Sequence, residues 1–273
     1  MTIDKHFIKS LLIYGALLLF AALFLIPVVV MIFGAMKSPA ELIYILRPPM
    51  GFHLPNIQVA INVIGRGFLN SLILLVVAVP LSVLVGALGA YPLSQIRFKG
   101  DTVVFFFLLF GLFIPYQIVL IPLVSLMTNL NLYDSFPGLW LVHTAYGIPV
   151  CTFFLRNYFS TIPKDLLESA LIDGLSYPGF FFRILLPLAK PGLAALIILQ
   201  TRYVWNEYLF ALTLTGSELV RPITVTLATF VSQTEVQYGP LMAATIISIL
   251  PTIGIFLAFK KQFIQGILSG SLD

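Results

Sequence analysis

Charge is scarce in this sequence. Lys, Arg, Asp and Glu make up 10% of its 273 residues, where soluble domains carry about 25%. So few charged side chains do not cover a soluble surface, which excludes an ordinary soluble enzyme, a disordered chain and a coiled coil. Cys151 is the one cysteine, so no intrachain disulfide forms, and its apolar neighbours mark it as packing. His6, His53 and His143 form no cluster, and His53 has no metal-spaced companion. The chain has no G-x-x-x-x-G-K loop followed by Ser or Thr, the cradle that holds nucleotide phosphates. It also lacks the dense basic patch of a nucleic-acid binder.

Apolar length is abundant. Six stretches, 11–33, 68–90, 102–127, 139–158, 189–212 and 239–259, are each long enough to cross about 30 Å of hydrocarbon as a helix. They exceed the ~9–11 residues of a barrel strand, and a helix satisfies its own backbone polar groups in lipid. The expected fold is an all-α membrane protein of six transmembrane helices in a single domain, 1–273. The run 11–33 is too long for the apolar core of a signal peptide and lacks a clear cleavage site, so it reads as a retained first span.

Lys and Arg set the orientation. With the N-terminus inside, Lys5, Lys9, Arg97, Lys99, Arg156, Lys164, Arg183, Lys190, Lys260 and Lys261 lie on the cytoplasmic side. Only Lys37, Arg47, Arg66 and Arg221 lie outside. Both termini are therefore expected in the cytoplasm, 34–67 as a long external loop and 260–273 as a cytoplasmic tail. Pro27, Pro80, Pro115, Pro122, Pro149 and Pro251 are expected to kink their spans. Gly86 and Ala90, four apart, suit close helix contact.

The connection 159–188 is polar, patterned and too long for a turn. It reads as two short cytoplasmic helices. Thr161 and Pro163 suit the start of the first, Gly174 its left-handed end, and Ser176 with Pro178 the start of the second. Leu166, Leu167, Ala170 and Leu171 form an apolar stripe that needs a groove, because so short a helix is unstable alone in water. The groove belongs either to this chain's own helix ends or to a separate soluble subunit.

Glu168-Ser169-Ala170, then Gly174, then Ile184-Leu185-Leu186-Pro187 resembles the cytoplasmic signature of binding-protein-dependent ABC importer permeases. Ser169 stands where that signature usually has alanine. Asp173-Gly174, Phe68-Leu69-Asn70-Ser71, Trp205-Asn206-Glu207-Tyr208 and Phe263-Ile264-Gln265-Gly266 resemble the carbohydrate-importer branch. The chain is similar to its smaller permease subunit, the maltose-type G subunit. The resemblance implies a MetI-like permease fold in the plasma (inner) membrane and a non-catalytic subunit that binds no cofactor itself. Partner ATPase subunits would use the ATP and Mg. It also implies a second, larger permease subunit, two ATPase subunits, an extracytoplasmic solute-binding protein and a carbohydrate cargo. Glu168, Ser169, Ala170, Asp173, Gly174, Ile184, Leu186 and Pro187 would then dock the ATPase, and Gln265 and Gly266 would contact it from the tail.

The fifth span carries Arg202, Trp205, Asn206 and Glu207. Charge at this depth is expensive unless paired or wet. Two readings stand: a substrate pathway in which Trp205 stacks on a sugar ring and Asn206 bonds hydroxyls, or a polar contact between subunits. Glu207 is close enough in sequence to pair partly with Arg202. Glycerol phosphate or a similar polyol is the alternative cargo, and a stand-alone secondary transporter the alternative machine.

Overall fold

A computed structural model describes residues 5–231 and 236–269, with side chains for 9–231 and 236–260. Twelve helices follow one another in the described residues: α1 (Lys5–Met36), α2 (Leu54–Gln95), α3 (Asp101–Phe110), α4 (Tyr116–Asn129), α5 (Phe136–Ser160), α6 (Asp165–Ile172), α7 (Tyr177–Phe180), α8 (Leu186–Leu188), α9 (Lys190–Asn206), α10 (Leu209–Leu214), α11 (Ile223–Ala228) and α12 (Tyr238–Ser269). A π-helical turn, Phe181–Leu185, joins α7 to α8. The fold is all-α and multi-spanning. Within the described residues, α1, α2, α5 and α12 are each long and apolar enough to cross a membrane. The total reaches six when two bent pairs each count as one span: Asp101–Phe113 with Tyr116–Asn129, bent by 94°, and Tyr177–Leu188 with Lys190–Asn206, bent by 79°.

Three expectations change. The segment 34–67 is not all loop, because α2 begins at Leu54. Asn56, Ala60, Ile64 and Gly67 are buried, a helical spacing hidden in the sequence by the polar Gln58, Asn62 and Arg66 beside them. The third span, 102–127, is not one helix: Ile114 and Pro115 are extended and separate α3 from α4. Proline disfavours helical geometry in the residue before it, so Ile114 takes the break. The fifth span, 189–212, also stops early, at Asn206, where Glu207 turns extended.

The chain divides into two compact units, Met1–Gly65 with Leu227–Ile249, and Arg66–Thr226 with Leu250–Asp273. In the first unit, α1 leaves residues 9–29 exposed along its length. An apolar helix in that state needs lipid or another chain around it. The Asn56 amide donates to the carbonyls of Ala35 (3.1 Å) and Lys37 (2.8 Å). Lys37 is buried and its ammonium donates to the carbonyls of Tyr44 (2.8 Å) and Ile45 (2.9 Å). A buried cation is tolerable only with such acceptors.

The second unit packs α2, α5 and α9 closely. A Cβ on Gly86 would overlap the side chain of Cys151, so glycine sets the distance between α2 and α5. Cys151 is fully buried there, as packing requires. The Gln200 amide donates to the Ser82 hydroxyl across 3.4 Å, tying α9 to α2. Nearer the middle of α2, Asn70 donates to the carbonyls of Glu218 (3.2 Å) and Arg221 (2.9 Å), and the Ser71 hydroxyl accepts from the Ile223 N–H (2.9 Å). The Phe68-to-Ser71 sequence is thus a stitch between α2 and the turn after α10. That turn has a second clasp: Asp134 accepts from the N–H groups of Gly216 (2.9 Å) and Ser217 (3.0 Å). Burial works against the charge of Asp134, but the Ser217 and Gly216 donors, with Arg221 nearby, hold its carboxyl below the ordinary value of 3.8.

Two outcomes are expected. Gly86→Leu should lower the thermal stability of the purified protein by about 1–3 kcal/mol through overpacking, read by thermal unfolding in detergent. Because the folded-state pKa of Asp134 is depressed, its stabilisation is complete above the unfolded value and fades as pH falls through the folded one. Hydrogen exchange at Gly216 and Ser217 should therefore be the same at pH 7 and pH 5 once corrected for intrinsic rates. It should speed up in strong acid, and Asp134→Asn should remove most of that dependence.

Candidate functional site

Two regions gather the functional residues expected from sequence. The first is the segment between α5 and α9. Thr161 closes α5 rather than opening the next helix, and its hydroxyl donates to the Tyr158 carbonyl (2.8 Å). The first short helix, α6, starts at Asp165 with no side-chain cap, leaving Asp165 and Glu168 in its first turn, where negative charge suits the helix dipole. Gly174 ends this helix at φ +84°, a conformation in which a side chain is strained. Ser176 opens α7 by accepting from the Gly179 N–H (3.2 Å).

The apolar stripe on α6 divides. Leu167 and Ala170 are buried within the chain, so the chain itself supplies a groove for part of it. Leu166 is 41% exposed and Ile172 is 86% exposed. Glu168, Ser169, Asp173 and Pro187 are also exposed, while Ile184 and Leu186 are half-buried. One face of α6 therefore packs inward, and the other presents apolar and acidic side chains side by side. The side chain of Gln265 and the surroundings of Gly266 lie outside what is described.

The second region surrounds the end of α9. A cavity of about 380 Å³ is lined by Tyr116, Arg202, Tyr203, Asn206, Glu207, Tyr208 and Leu209. It joins the start of α4, just after one helix break, to the break between α9 and α10. Non-helical backbone at membrane depth is tolerated where it is buried in protein or lines a wet cavity.

Glu207 holds this break together. Its carboxylate accepts from the N–H groups of Phe210 (2.8 Å) and Ala211 (3.1 Å), the open donors at the start of α10. Its main-chain carbonyl accepts from the Thr224 hydroxyl (2.8 Å). The expected Arg202–Glu207 couple does not form; backbone donors hold both carboxylate oxygens. Instead the Glu207 carboxylate lies 3.9 Å from Nε2 of the buried His143. Nothing in the sequence pointed to this proximity, since His143 lies 64 residues earlier, on α5.

Trp205 is separated from the cavity. It is buried at 5% exposure, with its ring edge-on to Phe68 at 5.7 Å. Adjacent helix positions point about 100° apart, so Trp205 faces the core while Arg202 and Asn206 face the cavity. Asn206 donates to the Arg202 carbonyl (2.9 Å). Arg202 also borders a more apolar groove of about 400 Å³ with Thr252 and Phe256. Tyr116 was not among the expected site residues. Its one signal is Pro115 immediately before it, a helix breaker inside an apolar run. Among the described residues, no group of three or more His, Cys, Asp or Glu converges as metal ligands.

Comparison with known proteins gives this geometry a context. The profile of the binding-protein-dependent transport system inner membrane component matches residues 78–268. The xylose/arabinose import permease protein XacI of Haloferax volcanii is 33% identical, over 93% of this chain and 90% of its own length. The diacetylchitobiose uptake system permease protein NgcG of Streptomyces coelicolor is 30% identical, over 98% of this chain and 90% of its own. A chain in the crystal structure of a bacterial ABC transporter involved in the import of the acidic polysaccharide alginate superposes with a TM-score of 0.81. That match covers 96% of this chain and 100% of the other at 24% identity, and it speaks for the fold. The matched range runs from α2 to α12 and takes in both the α6 segment and the broken fifth span. The chain belongs to the binding-protein-dependent transport system inner membrane component family, as a non-catalytic, membrane-spanning permease subunit.

Proposed function

We propose that the chain is the smaller, maltose-type permease subunit of an ATP-driven carbohydrate importer. It would pair with a larger permease subunit, two ATPase subunits and an extracytoplasmic solute-binding protein, with both termini in the cytoplasm. The carbohydrate assignment draws on the import permeases to which the chain is similar. Three named relatives are permeases for xylose and arabinose, for diacetylchitobiose and for arabinooligosaccharides.

The observation that carries the reading is the outward face of α6. Leu166 and Ile172 stand exposed beside Glu168 and Asp173. Exposed apolar side chains beside acidic ones suit a soluble, basic-rimmed partner better than lipid, where carboxylates are costly. Docking there would involve Glu168, Ser169, Asp173 and Gly174, with Ala170 packed inward behind them rather than at the contact, and with Ile184, Leu186 and Pro187 joining the segment to α9. ATPase closure would bias the permease between inward and outward arrangements through its different contacts in each.

The cavity beside the α9–α10 break is the proposed cargo path. Arg202 and Asn206 supply hydrogen bonds, and Tyr116, Tyr203 and Tyr208 supply rings that fit the apolar faces of a sugar. Glu207 shapes the path through α10 rather than by contact. Trp205 supports it from the core.

In a reconstituted importer, Glu168→Ala and Gly174→Val should each cut uptake per ATP hydrolysed by about tenfold, equivalent to roughly 1.4 kcal/mol of lost coupling. An unchanged ratio with a fully assembled complex would remove the docking role. Asn206→Ala should change the relative uptake of competing sugars while leaving complex yield intact. Trp205→Ala should instead lower stability by about 3–5 kcal/mol, read as lost yield, without a change in selectivity.

A further inference from the structure

We infer that Tyr91 and Gln95, near the end of α2, are positioning residues that make the coupling segment and the Glu218–Arg221 turn move as one body with α2. The inference rests on the docking role proposed for the α6 segment.

Tyr91 and Gln95 are four residues apart and share a face of α2. Both are buried, at 7% and 4% exposure. The Gln95 amide donates to the carbonyls of Phe159 (2.6 Å) and Ile162 (3.2 Å). These carbonyls lie in the last turn of α5 and just beyond it, and the Phe159 carbonyl also accepts from the Ile162 N–H (3.1 Å). The Tyr91 hydroxyl donates to the Tyr177 carbonyl (3.2 Å), at the start of α7. Its ring packs on Phe180 and Phe181, with centroids 6.1 Å and 5.4 Å away. One face of α2 therefore grips the coupling segment at its entry and at its exit, on either side of α6.

The same helix grips a second segment. Asn70 holds the carbonyls of Glu218 and Arg221, and Ser71 holds the Ile223 N–H. The two grips are about 20 residues apart, so about 30 Å of helix separates them, the thickness of the hydrocarbon. Between them α2 runs on as one helix, with Pro80 inside it. The third and fifth spans are broken at Pro115 and Glu207 and have a place to absorb displacement. α2 has no such interruption, so a pull on Tyr91 and Gln95 is carried along it to Asn70.

Spin labels on the assembled importer test this without knowledge of the cargo. Cys151→Ser supplies the background. One label is placed at Lys164→Cys beside α6 and, in a separate sample, one at Leu219→Cys, which is 60% exposed. Adding Mg-ATP with vanadate should change both spectra. In the Tyr91→Phe, Gln95→Leu double variant, the Lys164 label should respond as before. The response at Leu219 should fall at least about threefold, the loss expected when hydrogen bonds of this kind are removed. If the double variant does not assemble, Tyr91→Phe alone removes a single hydroxyl and should still reduce the Leu219 response. An undiminished Leu219 response beside a normal Lys164 response overturns the inference. No response at Lys164 in the parent removes the docking reading, and this inference with it.

Discussion

Hydrocarbon offers a backbone nothing to bond to, and that constraint governs this chain. Each polar group at membrane depth needs a partner from the protein or from a wet cavity, since an orphan costs several kcal/mol. α2 stays helical and meets most of the demand by its own bonds, although Pro80 and Pro92 bring no N–H to its ladder. The broken spans need help, and the help is specific. Glu207 takes the N–H groups of Phe210 and Ala211 where α10 restarts. The break therefore survives without orphaned donors there, and a polar cavity opens beside it.

Much of the fold was legible because apolar length is a strong signal. The six-span reading overlapped every membrane-length helix or bent pair, but it missed the start of α2 at Leu54 and of the second bent pair at Tyr177, and it ended the last span well before Ser269. Breaks were less legible than spans. Pro115 announced one of them. Glu207 did not, because a carboxylate in an apolar run reads as a functional charge until its backbone donors are visible. The start of α2 was hidden for the opposite reason. Asn56 and Arg66 look like loop residues, yet Asn56 is buried to bond the carbonyls of Ala35 and Lys37.

The candidate site was legible in part. Glu168 to Gly174 stood out by spacing, and Gly174 adopts the left-handed conformation that its place after a helix called for. Of the four fifth-span residues, Arg202, Asn206 and Glu207 come together at one cavity and Trp205 does not. Sequence marks polarity and aromaticity but not direction around a helix. A tryptophan beside a polar residue therefore does not reveal that it faces Phe68. Tyr116 and His143 reach the same neighbourhood from distant stretches, which only tertiary packing brings together.

In the proposed importer this subunit depends on a partner for energy. The most direct measurement is sugar uptake into liposomes that contain this chain with its companion permease and binding protein, with and without the ATPase subunits. The account predicts uptake only when the ATPase subunits and hydrolysable ATP are both present. Concentrative uptake without them, driven by an ion gradient alone, would contradict it.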